Sequence, residues 1–417
     1  MEFLFLIAVM AILLLNLSWY LVSDYWLRSG LVQHPKSRNI TRAVLLIWMI
    51  VVFIPAVGIN IPYFSSLLTY EAWGWLALFY LWVGTIFFWM IGMGVLGIPV
   101  FIYNYFVKKS KDNKPNLRIV TNQVDQTDQA DALTRRKLLR LALVAAPPLI
   151  VSGSTLAAVA TRDRLNVYTK DLPVVDLPDD LNGLTITQLS DLHIGTLMGR
   201  ERIERIVSEA NFLKSDIIVI TGDILDRDIR YMPDLLETIG ELKAPMGVYL
   251  CLGNHDKIYN ADRWIKEVRG AELSLLLNQS TIIDTGGTPL KMMGIDFTYN
   301  DSENFAFIRE AEEYSNADNA LRILLAHHSH AFDAAAAMGI PVTLAGHTHG
   351  GQLVLKSPWG NEIFNPGNAL FRYVKGIYRS PRRRTLFVHA GSGDWFPLRM
   401  GVSCEIVQLR LVSEQRI

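Results

Sequence analysis

Five short clusters of acidic, amide and imidazole side chains follow one another along the second half of the chain. In order they are Asp191-Leu192-His193, Gly222-Asp223-Ile224-Leu225-Asp226, Gly253-Asn254-His255-Asp256, Ala326-His327-His328 and Gly346-His347-Thr348-His349. Carboxylate and amide oxygens together with imidazole nitrogens are typical ligands of divalent cations in hydrolytic sites. One such cluster carries little weight, because an Asp after a strand is more often a turn former or a helix cap. Five in order predict a metal centre.

Each cluster follows an apolar run that predicts a buried β-strand. These runs are residues 184–189, 216–220, 247–252, 322–326 and 342–344, and helical patterns fall between them. An open α/β sheet binds its ligands at the carboxyl ends of its strands. We therefore expect the five clusters to converge on one site.

Taken together, Asp-x-His, Gly-Asp-x-x-Asp, Gly-Asn-His-Asp, a strand-end His and Gly-His-x-His resemble the calcineurin-like metallophosphoesterases over residues 184–411. The ending Gly-His-Thr-His-Gly-Gly-Gln and the segment 397–401 resemble the bacterial membrane-associated, twin-arginine-exported branch of that superfamily. The resemblance implies a four-layer αββα sandwich of the α/β class over residues 161–417. It also implies metal-dependent hydrolysis of a phosphodiester, a phosphomonoester or a pyrophosphate.

The resemblance further implies two divalent metal ions, manganese, iron or zinc, about 3.5–4 Å apart. One ion would take Asp191, His193 and His349, the other would take Asn254, His327 and His347, and Asp223 would bridge them. Metal binding lowers the pKa of water, so a hydroxide would be present near neutral pH to attack phosphorus. His328 is the alternative to His327, which we prefer because it comes first after the strand.

The histidine that matches His255 in the superfamily points at the phosphate oxygens. His255 is therefore expected to stabilise the developing charge or to protonate the leaving group. Either Asp226 or Asp256 could orient its ring, and both are candidate catalytic residues. The alternative role for His255 is support of the metal ligands without a part in the chemistry.

The first part of the chain predicts a membrane region, residues 1–107, with three spans. The stretches 3–22, 43–70 and 72–107 contain no charged residue, and each reaches the roughly 20 residues that a spanning helix needs. The third is long enough for two passes, but one helix kinked near Pro99 is simpler. A fourth apolar stretch, 141–160, is interrupted by Pro147 and Pro148 and is either an anchor or a cleaved signal.

Lys and Arg residues predict the topology. They occur between the first two spans and throughout 108–140, whereas residues 62–71 contain none. By the positive-inside rule the first loop is cytoplasmic, residues 108–140 form a flexible cytoplasmic linker, and the domain after residue 162 lies outside. The chain is thus expected to be a multi-pass protein of the cell or inner membrane. Residues 134–140 resemble a twin-arginine export signal, although a basic flank of a helix has the same composition.

Composition adds limits on partners. The hydrophobic fraction of 50% and the mean hydropathy of +0.22 are too high for a wholly soluble chain. Lys and Arg total 40 and equal Asp and Glu at 40, so the charge of the whole chain does not indicate a partner. No nucleic-acid partner is expected, because only residues 372–384 resemble a basic groove and the domain is expected on the outer side. Cys251 and Cys404 allow one disulfide at most, and Cys251, at the end of a buried strand, reads as a free thiol.

A basic run over 372–384 is either a solvated loop or a cap that binds anionic lipid or the membrane surface. The aromatic residues beside it are Trp359, Phe364, Phe371, Tyr373 and Tyr378. The expected partners are accordingly membrane lipids and a phosphate ester, possible examples being lipid-linked esters of the UDP-diacylglucosamine type. The competing function is a metal-binding membrane scaffold or sensor without turnover. Intact candidate ligands together with His255 favour the enzyme.

Overall fold

The computed structural model describes residues 2–60, 77–95, 126–161 and 164–414, apart from 196, 227, 259, 316, 318 and 397. The chain divides into two compact units, Met1–Val159 and Ala160–Ile417. Each unit is described separately below.

The N-terminal unit is helical. Helix α1 is Glu2–Trp26 and continues into a π-helical turn, Leu27–Leu31; α2 is Pro35–Asn60, α3 is Ala77–Val95, and α4 is Gln126–Thr161. Three stretches are long and apolar enough to cross a membrane, namely Met10–Ser29, Ala77–Val95 and Lys137–Ala158. They overlap the first, third and fourth predicted apolar stretches. Helix α2 follows the second as far as residue 60, and the region of Pro99 lies outside the described residues.

Aromatic side chains form the core of this unit. The Trp82 ring lies 4.8 Å from that of Trp19 and 5.6 Å from that of Trp48, edge to face in both pairs. The indole N–H of Trp82 donates to Asn16 Oδ1 at 3.0 Å. This hydrogen bond satisfies two polar groups that are buried in the core of the unit.

Helix α4 differs from the expectation of a flexible linker. Residues 126–140 are helical, whereas the sequence predicted a flexible linker over residues 108–140. Ala, Leu, Gln, Arg and Lys fill this part of the chain, and all are good helix formers. Residues 108–125 lie outside the described residues.

The same helix runs through Pro147 and Pro148 and is not interrupted by them. Proline lacks the N–H that would bond the carbonyl four residues earlier, so Pro147 leaves the carbonyl of Leu143 without its helical donor. Trp89 of α3 supplies that donor, because its Nε1–H bonds the Leu143 carbonyl at 3.1 Å. A neighbouring helix has thus replaced the backbone hydrogen bond that the proline removed.

We predict that Trp89→Phe lowers the stability of the helical unit by about 1 kcal/mol, the usual scale of a polar contact between membrane helices. Trp48→Phe is the matched control, since Trp48 Nε1 has no hydrogen-bond partner within the described residues. The measurement is unfolding of the full chain in mixed detergent micelles. Equal losses for the two variants would show that ring size and not the hydrogen bond matters.

The C-terminal unit is built from two six-stranded sheets. Its strands are β1 Leu165–Val174, β2 Thr185–Leu189, β3 Ile217–Thr221, β4 Val248–Cys251, β5 Ser274–Leu275, β6 Gln279–Ile283, β7 Leu290–Gly294, β8 Leu321–Leu325, β9 Val342–Ala345, β10 Leu355–Lys356, β11 Glu362–Phe364, β12 Gly376–Arg379, β13 Thr385–Val388 and β14 Cys404–Ser413. Its helices are α5 Arg200–Phe212, α6 Met232–Ile239, α7 Ala261–Gly270, α8 Asp301–Tyr314, α9 Ala331–Ala337 and α10 Gly367–Leu370. Each of the five predicted strands is present, with its ends within one residue of the predicted ends.

The two sheets have strand orders β1-β14-β2-β3-β4-β5 and β12-β13-β9-β8-β7-β6. Strand β3 shows how they pack: Ile218 and Ile220 face the core under α5, α6 and α7, while Ile217 and Val219 face the second sheet. This alternation follows from the two-residue period of a strand buried on both faces. Helices α8 and α9 cover the outer face of the second sheet. The layers run helix, sheet, sheet, helix, which confirms the predicted α/β sandwich.

Residues 372–384 include strand β12, and most of their charges are paired within the domain. Arg372 contacts Asp333 at 2.9 Å, and Arg379 and Arg383 both pair with Glu414. The run therefore includes a strand of the folded sheet, with Arg372 and Arg383 still 66% and 40% exposed. Cys251 and Cys404 are both free and buried.

Candidate metal centre

The clusters predicted from the sequence meet where the carboxyl ends of both sheets come together. Strand β2 leads into Asp191 and His193, β3 into Asp223, and β4 into Asn254. The second sheet contributes His327 after β8 and both His347 and His349 after β9.

One half of the site is formed by Asp191, His193 and His349, whose ligand atoms all lie within 4.8 Å of one another. Nε2 of His193 is 3.1 Å from Nε2 of His349, which in turn is 3.4 Å from Asp191 Oδ1. Asp223 Oδ2 lies 3.6 Å from His193 Nε2.

The other half is centred on His327. Its Nε2 lies 3.2 Å from Asp223 Oδ2, 3.1 Å from Asn254 Oδ1 and 3.1 Å from His347 Nδ1. The same oxygen of Asp223 therefore faces both halves. The other carboxylate oxygen, Oδ1, is held by the backbone N–H of His255 at 2.8 Å.

The ligand atoms of this site are arranged to bind a cation. Nδ1–H of His327 donates to the Thr221 carbonyl at 2.8 Å, which leaves the lone pair on Nε2. That lone pair faces a carboxylate oxygen, an amide oxygen and a second imidazole nitrogen, and the Asp223 and His327 side chains are buried. Acceptors packed against one another away from water repel unless a positive charge lies between them. The residues present thus fit a pair of divalent metal ions.

The electrostatic potential at Asp223 agrees with this. Burial opposes its ionisation, but the charge of His327, a hydrogen bond from His327 and the charge of His193 hold the pKa of Asp223 below its usual value. Burial likewise lowers the pKa of His327, yet the charge of Asp223 and its hydrogen bond raise that pKa to about 9. A potential that attracts a proton this strongly also attracts a metal cation.

The backbone at the ligands is unusual. Asp191, His193, Asp223, His347 and His349 have φ values of 53°, 49°, 51°, 71° and 48°. Non-glycine residues in this left-handed region are uncommon, although Asp and His tolerate it better than most, and they cluster at functional sites.

Glycine is required beside two of the ligands for a steric reason. A Cβ at Gly253 would lie 2.2 Å from the backbone nitrogen of Asp223, and one at Gly346 would lie 1.9 Å from Ser190 Oγ. Any side chain at these positions would force the metal-site loops apart.

The structure distinguishes Asp226 from Asp256, which the sequence could not. Asp226 Oδ1 accepts from His255 Nδ1 at 3.0 Å. Burial raises the pKa of Asp226, but hydrogen bonds from His193 and His255 outweigh it and lower that pKa to about 2. A carboxylate in this position orients the ring of His255.

Asp256 has a different set of contacts. It accepts backbone N–H groups of Ile224, Leu225 and Gly253 at 3.0, 2.9 and 2.9 Å. Burial and the charge of Asp223 raise the pKa of Asp256 to about 6. Asp256 therefore ties the loop after β3 to the loop after β4.

His327 and His328 are also distinguished. The His328 ring points away from Asp223, since its Nδ1 contacts Nδ1 of His330 at 2.7 Å. His327 is the residue that faces Asp223 and Asn254, as expected of the first histidine after the strand.

Arg399 has no role that the sequence predicts, yet it is only 8% exposed and contacts His349 of the site. Its guanidinium donates to Asp394 Oδ1 at 2.7 Å and to the carbonyls of Ala390 and Gly393, both at 2.8 Å. Nη2 also lies 3.0 Å from His349 Nδ1. The resemblance included segment 397–401, but no spacing rule predicts a contact made across 50 residues.

An open cleft leads to the site. Its lining combines the candidate ligands and His255 with larger apolar side chains, and it comprises Asp223, Asn254, His255, His347, Thr348, His349, Gly351, Gln352, Pro366, Gly367, Leu370, Phe371 and Trp395. A polar floor with apolar walls suits a substrate that carries a phosphate group on an apolar body.

Comparison with known proteins agrees with this geometry. Residues 184–351 match the family model described as calcineurin-like phosphoesterase. The chain is 31% identical over 287 residues to a Danio rerio protein named transmembrane protein with metallophosphoesterase domain, covering 65% of this chain and 62% of that protein.

Bacterial relatives are more distant. An uncharacterized metallophosphoesterase of Helicobacter pylori is 27% identical, with 56% of this chain and 61% of that protein covered. The uncharacterized metallophosphoesterase YkuE of Bacillus subtilis is 26% identical, with 57% and 82% covered. The chain spans less than two thirds of the length of the first curated relatives that it matches.

We predict that Arg399→Met lowers the free energy of unfolding of the C-terminal unit by about 3 kcal/mol, because it removes one partner of a buried charged pair. Arg410→Met is the control: Arg410 pairs with Asp171 at 2.7 Å, but both side chains are half exposed. Such a pair contributes about 1 kcal/mol or less. Denaturant titration of both variants measures the difference, and equal losses would contradict a structural role for Arg399.

Proposed function

We propose that this chain hydrolyses phosphate esters with two bound divalent cations, since residues 184–351 match the family model described as calcineurin-like phosphoesterase. The observation that carries the proposal is the position of Asp223 Oδ2, which lies 3.6 Å from His193 Nε2 and 3.2 Å from His327 Nε2. One carboxylate oxygen shared by two sets of imidazole ligands is the arrangement that a two-metal site needs.

The residues that would hold the ions follow from the two halves of the site. Asp191, His193 and His349 would bind one, Asn254, His327 and His347 the other, and Asp223 both. Manganese, iron and zinc all accept this mixture of oxygen and nitrogen ligands. When bound, such ions supply Lewis-acid charge at the phosphoryl oxygens and lower the pKa of water toward neutrality.

His255 is proposed to act on the substrate. Its ring lines the cleft, and Asp226 holds its Nδ1. With Nδ1–H bonded to Asp226, Nε2 is the atom that would stabilise the phosphoryl oxygens or give a proton to the leaving oxygen. Asp226 is proposed to position this ring, and Asp256 is proposed to keep the two loops in register.

The substrate is proposed to be a lipid-linked phosphate ester, with membrane lipids as surroundings. Three apolar helices of spanning length precede the domain, and the Danio rerio relative is named as a transmembrane protein. The apolar cleft walls, Leu370 and Phe371 among them, support the same class of substrate.

The catalytic domain is proposed to lie on the outer side of the cell or inner membrane. The Lys and Arg distribution around the spans supports this topology. Val144 and Val151 of α4 are buried against the other helices, which supports a retained anchor over a cleaved signal. Export through a twin-arginine route remains part of the proposal because Arg135 and Arg136 precede this stretch.

The enzymatic proposal is tested with the purified full chain, manganese and a panel of diester, monoester, pyrophosphate and UDP-diacylglucosamine-type substrates. Asp223→Asn is expected to abolish hydrolysis and to reduce bound metal, since it removes the shared charge. His255→Ala is expected to retain metal while the rate falls roughly 10²- to 10⁴-fold, the scale of a lost proton donor.

Metal content by elemental analysis separates the two variants. Full activity of Asp223→Asn would refute the two-metal proposal. Loss of metal in His255→Ala would assign His255 to support of the ligands. Metal binding by a wild-type chain that turns over no ester would favour the scaffold or sensor.

The topology is tested by adding protease to intact spheroplasts that carry a tag at residue 417 or at residue 113. We expect the first tag to be cleaved and the second to be protected, with permeabilised cells as the control. Arg135→Lys combined with Arg136→Lys keeps the charge that the positive-inside rule counts. Loss of outer exposure in that variant alone would identify the twin-arginine route, and the reverse tag pattern would overturn the proposed topology.

A further inference from the structure

A hairpin beside the cleft has no covering layer among the described residues. Residues 355–364, called here the apolar hairpin, form a two-stranded sheet of β10 and β11 that is separate from both large sheets. Leu355, Trp359, Ile363 and Phe364 are 48%, 85%, 63% and 59% exposed. An isolated two-stranded hairpin is at best marginally stable in water, so this one needs an apolar environment.

The tip of the apolar hairpin is a closed turn that holds Trp359 outward. Gly360 N–H donates to the Ser357 carbonyl at 2.9 Å, and Ser357 N–H donates to the Asn361 carbonyl at 2.7 Å. Pro358 fits the second position of such a turn because its φ is already fixed. The indole is therefore displayed by a hydrogen-bonded turn, with most of its surface available to a partner.

We propose that the apolar hairpin inserts into the interfacial layer of the lipid bilayer that the helices of this chain cross. Tryptophan and large aliphatic side chains favour this layer. Lys356 and Glu362, which lie in the two strands, are exposed and limit the depth of insertion to the headgroup region.

The chain's own connectivity favours a bilayer over another occupant. Six residues lie between Ala158, the end of the last candidate span, and Leu165, the first residue of β1. The seven Cα–Cα steps between these two residues span at most about 25 Å, so the first residue of β1 is tethered within that distance of the end of the span. The apolar hairpin then meets lipid at high local concentration without any second protein.

Insertion of the apolar hairpin would also place the cleft where a substrate can enter it from the bilayer. This part of the inference rests on the proposed function. Strand β11 leads through Pro366 into α10, and Pro366, Leu370 and Phe371 line the cleft. Leu370 is itself 73% exposed. Exposed apolar side chains thus recur along the chain from Trp359 to Leu370 in the cleft wall, which suits a lipid-linked phosphate ester that enters from the bilayer.

Insertion is tested on the full chain in phosphatidylcholine and phosphatidylglycerol vesicles. Cys251 and Cys404 are buried, so a cysteine introduced by Trp359→Cys is the accessible thiol for an environment-sensitive fluorophore. Phe212→Cys is the matched control, because Phe212 is 79% exposed at the end of α5. We expect nitroxide-labelled lipids to quench the label at 359 and not at 212. No quenching at 359 overturns the proposal, whether a protein, a second copy or the helices cover the hairpin.

A second measurement separates this inference from the enzymatic proposal. The double variant Trp359→Ser and Ile363→Ser leaves the residues of the metal centre and the cleft unchanged. We expect kcat/KM on a soluble chromogenic phosphate ester to be unaffected and kcat/KM on an ester embedded in vesicles to fall on the order of tenfold. An equal fall with both substrates would overturn the role in membrane access. A wild-type chain inactive on every ester would refute the enzymatic proposal, while the quenching result would still decide insertion.

Discussion

The domain depends on one unfavourable arrangement: acceptor atoms of seven side chains face one another in a largely buried place. Asp223 Oδ2 is the point that the two groups share. The first sheet supplies Asp191, His193, Asp223 and Asn254, and the second supplies the remaining three imidazoles. The site therefore exists only when the two sheets are packed together across their common core, and a cation bound there would tie that packing to metal concentration.

Several features hold this arrangement in place. Five ligands have left-handed φ values, each of which costs of order 1 kcal/mol or more. Backbone N–H groups from two loops converge on Asp256, and Arg399 connects His349 to the turn around Gly393. Nδ1 of His349 faces Arg399, whereas Nδ1 of His327 donates to a carbonyl. In a metal-bound imidazole the nitrogen that does not bind the metal is held by a neighbouring group, and that group differs between these two histidines. The two halves of the site are thus supported in chemically different ways.

Most of the fold and the convergence of the candidate ligands could be predicted from the sequence, because both depend on short-range patterns. Buried strands are apolar runs, and the ligands come directly after them, so β3 and Asp223 could be located together. The choice between Asp226 and Asp256 could not be predicted, since both follow strands that end at the same edge. It depends on side-chain directions that only the packed loops determine.

Other features could not be predicted from the sequence, each for a different reason. Arg399 contacts His349 across a long separation in sequence, and a single arginine carries no periodic signal. Pro147 and Pro148 were expected to interrupt the stretch 141–160, because the effect of a proline was judged from its own helix alone. In the structure, Trp89 of a neighbouring helix supplies the missing hydrogen-bond donor. Trp359 and Phe364 could be recognised from the sequence as neighbours of the basic run, but their place in a separate two-stranded hairpin could not, and the structure pairs most of the basic residues with acids.

The hydrogen bond between Trp89 and the Leu143 carbonyl also restricts the rotation of α4. A helix with an unbroken backbone ladder can turn about its own axis in lipid at little cost, since every face is similarly apolar. Proline at 147 turns the Leu143 carbonyl of α4 into a directional acceptor, and rotation of the helix would break its hydrogen bond to Trp89. This hydrogen bond therefore fixes the rotation of α4 and its position along its axis relative to α3. A proline pair that weakens α4 by itself thus sets the orientation of α4 within the helical unit.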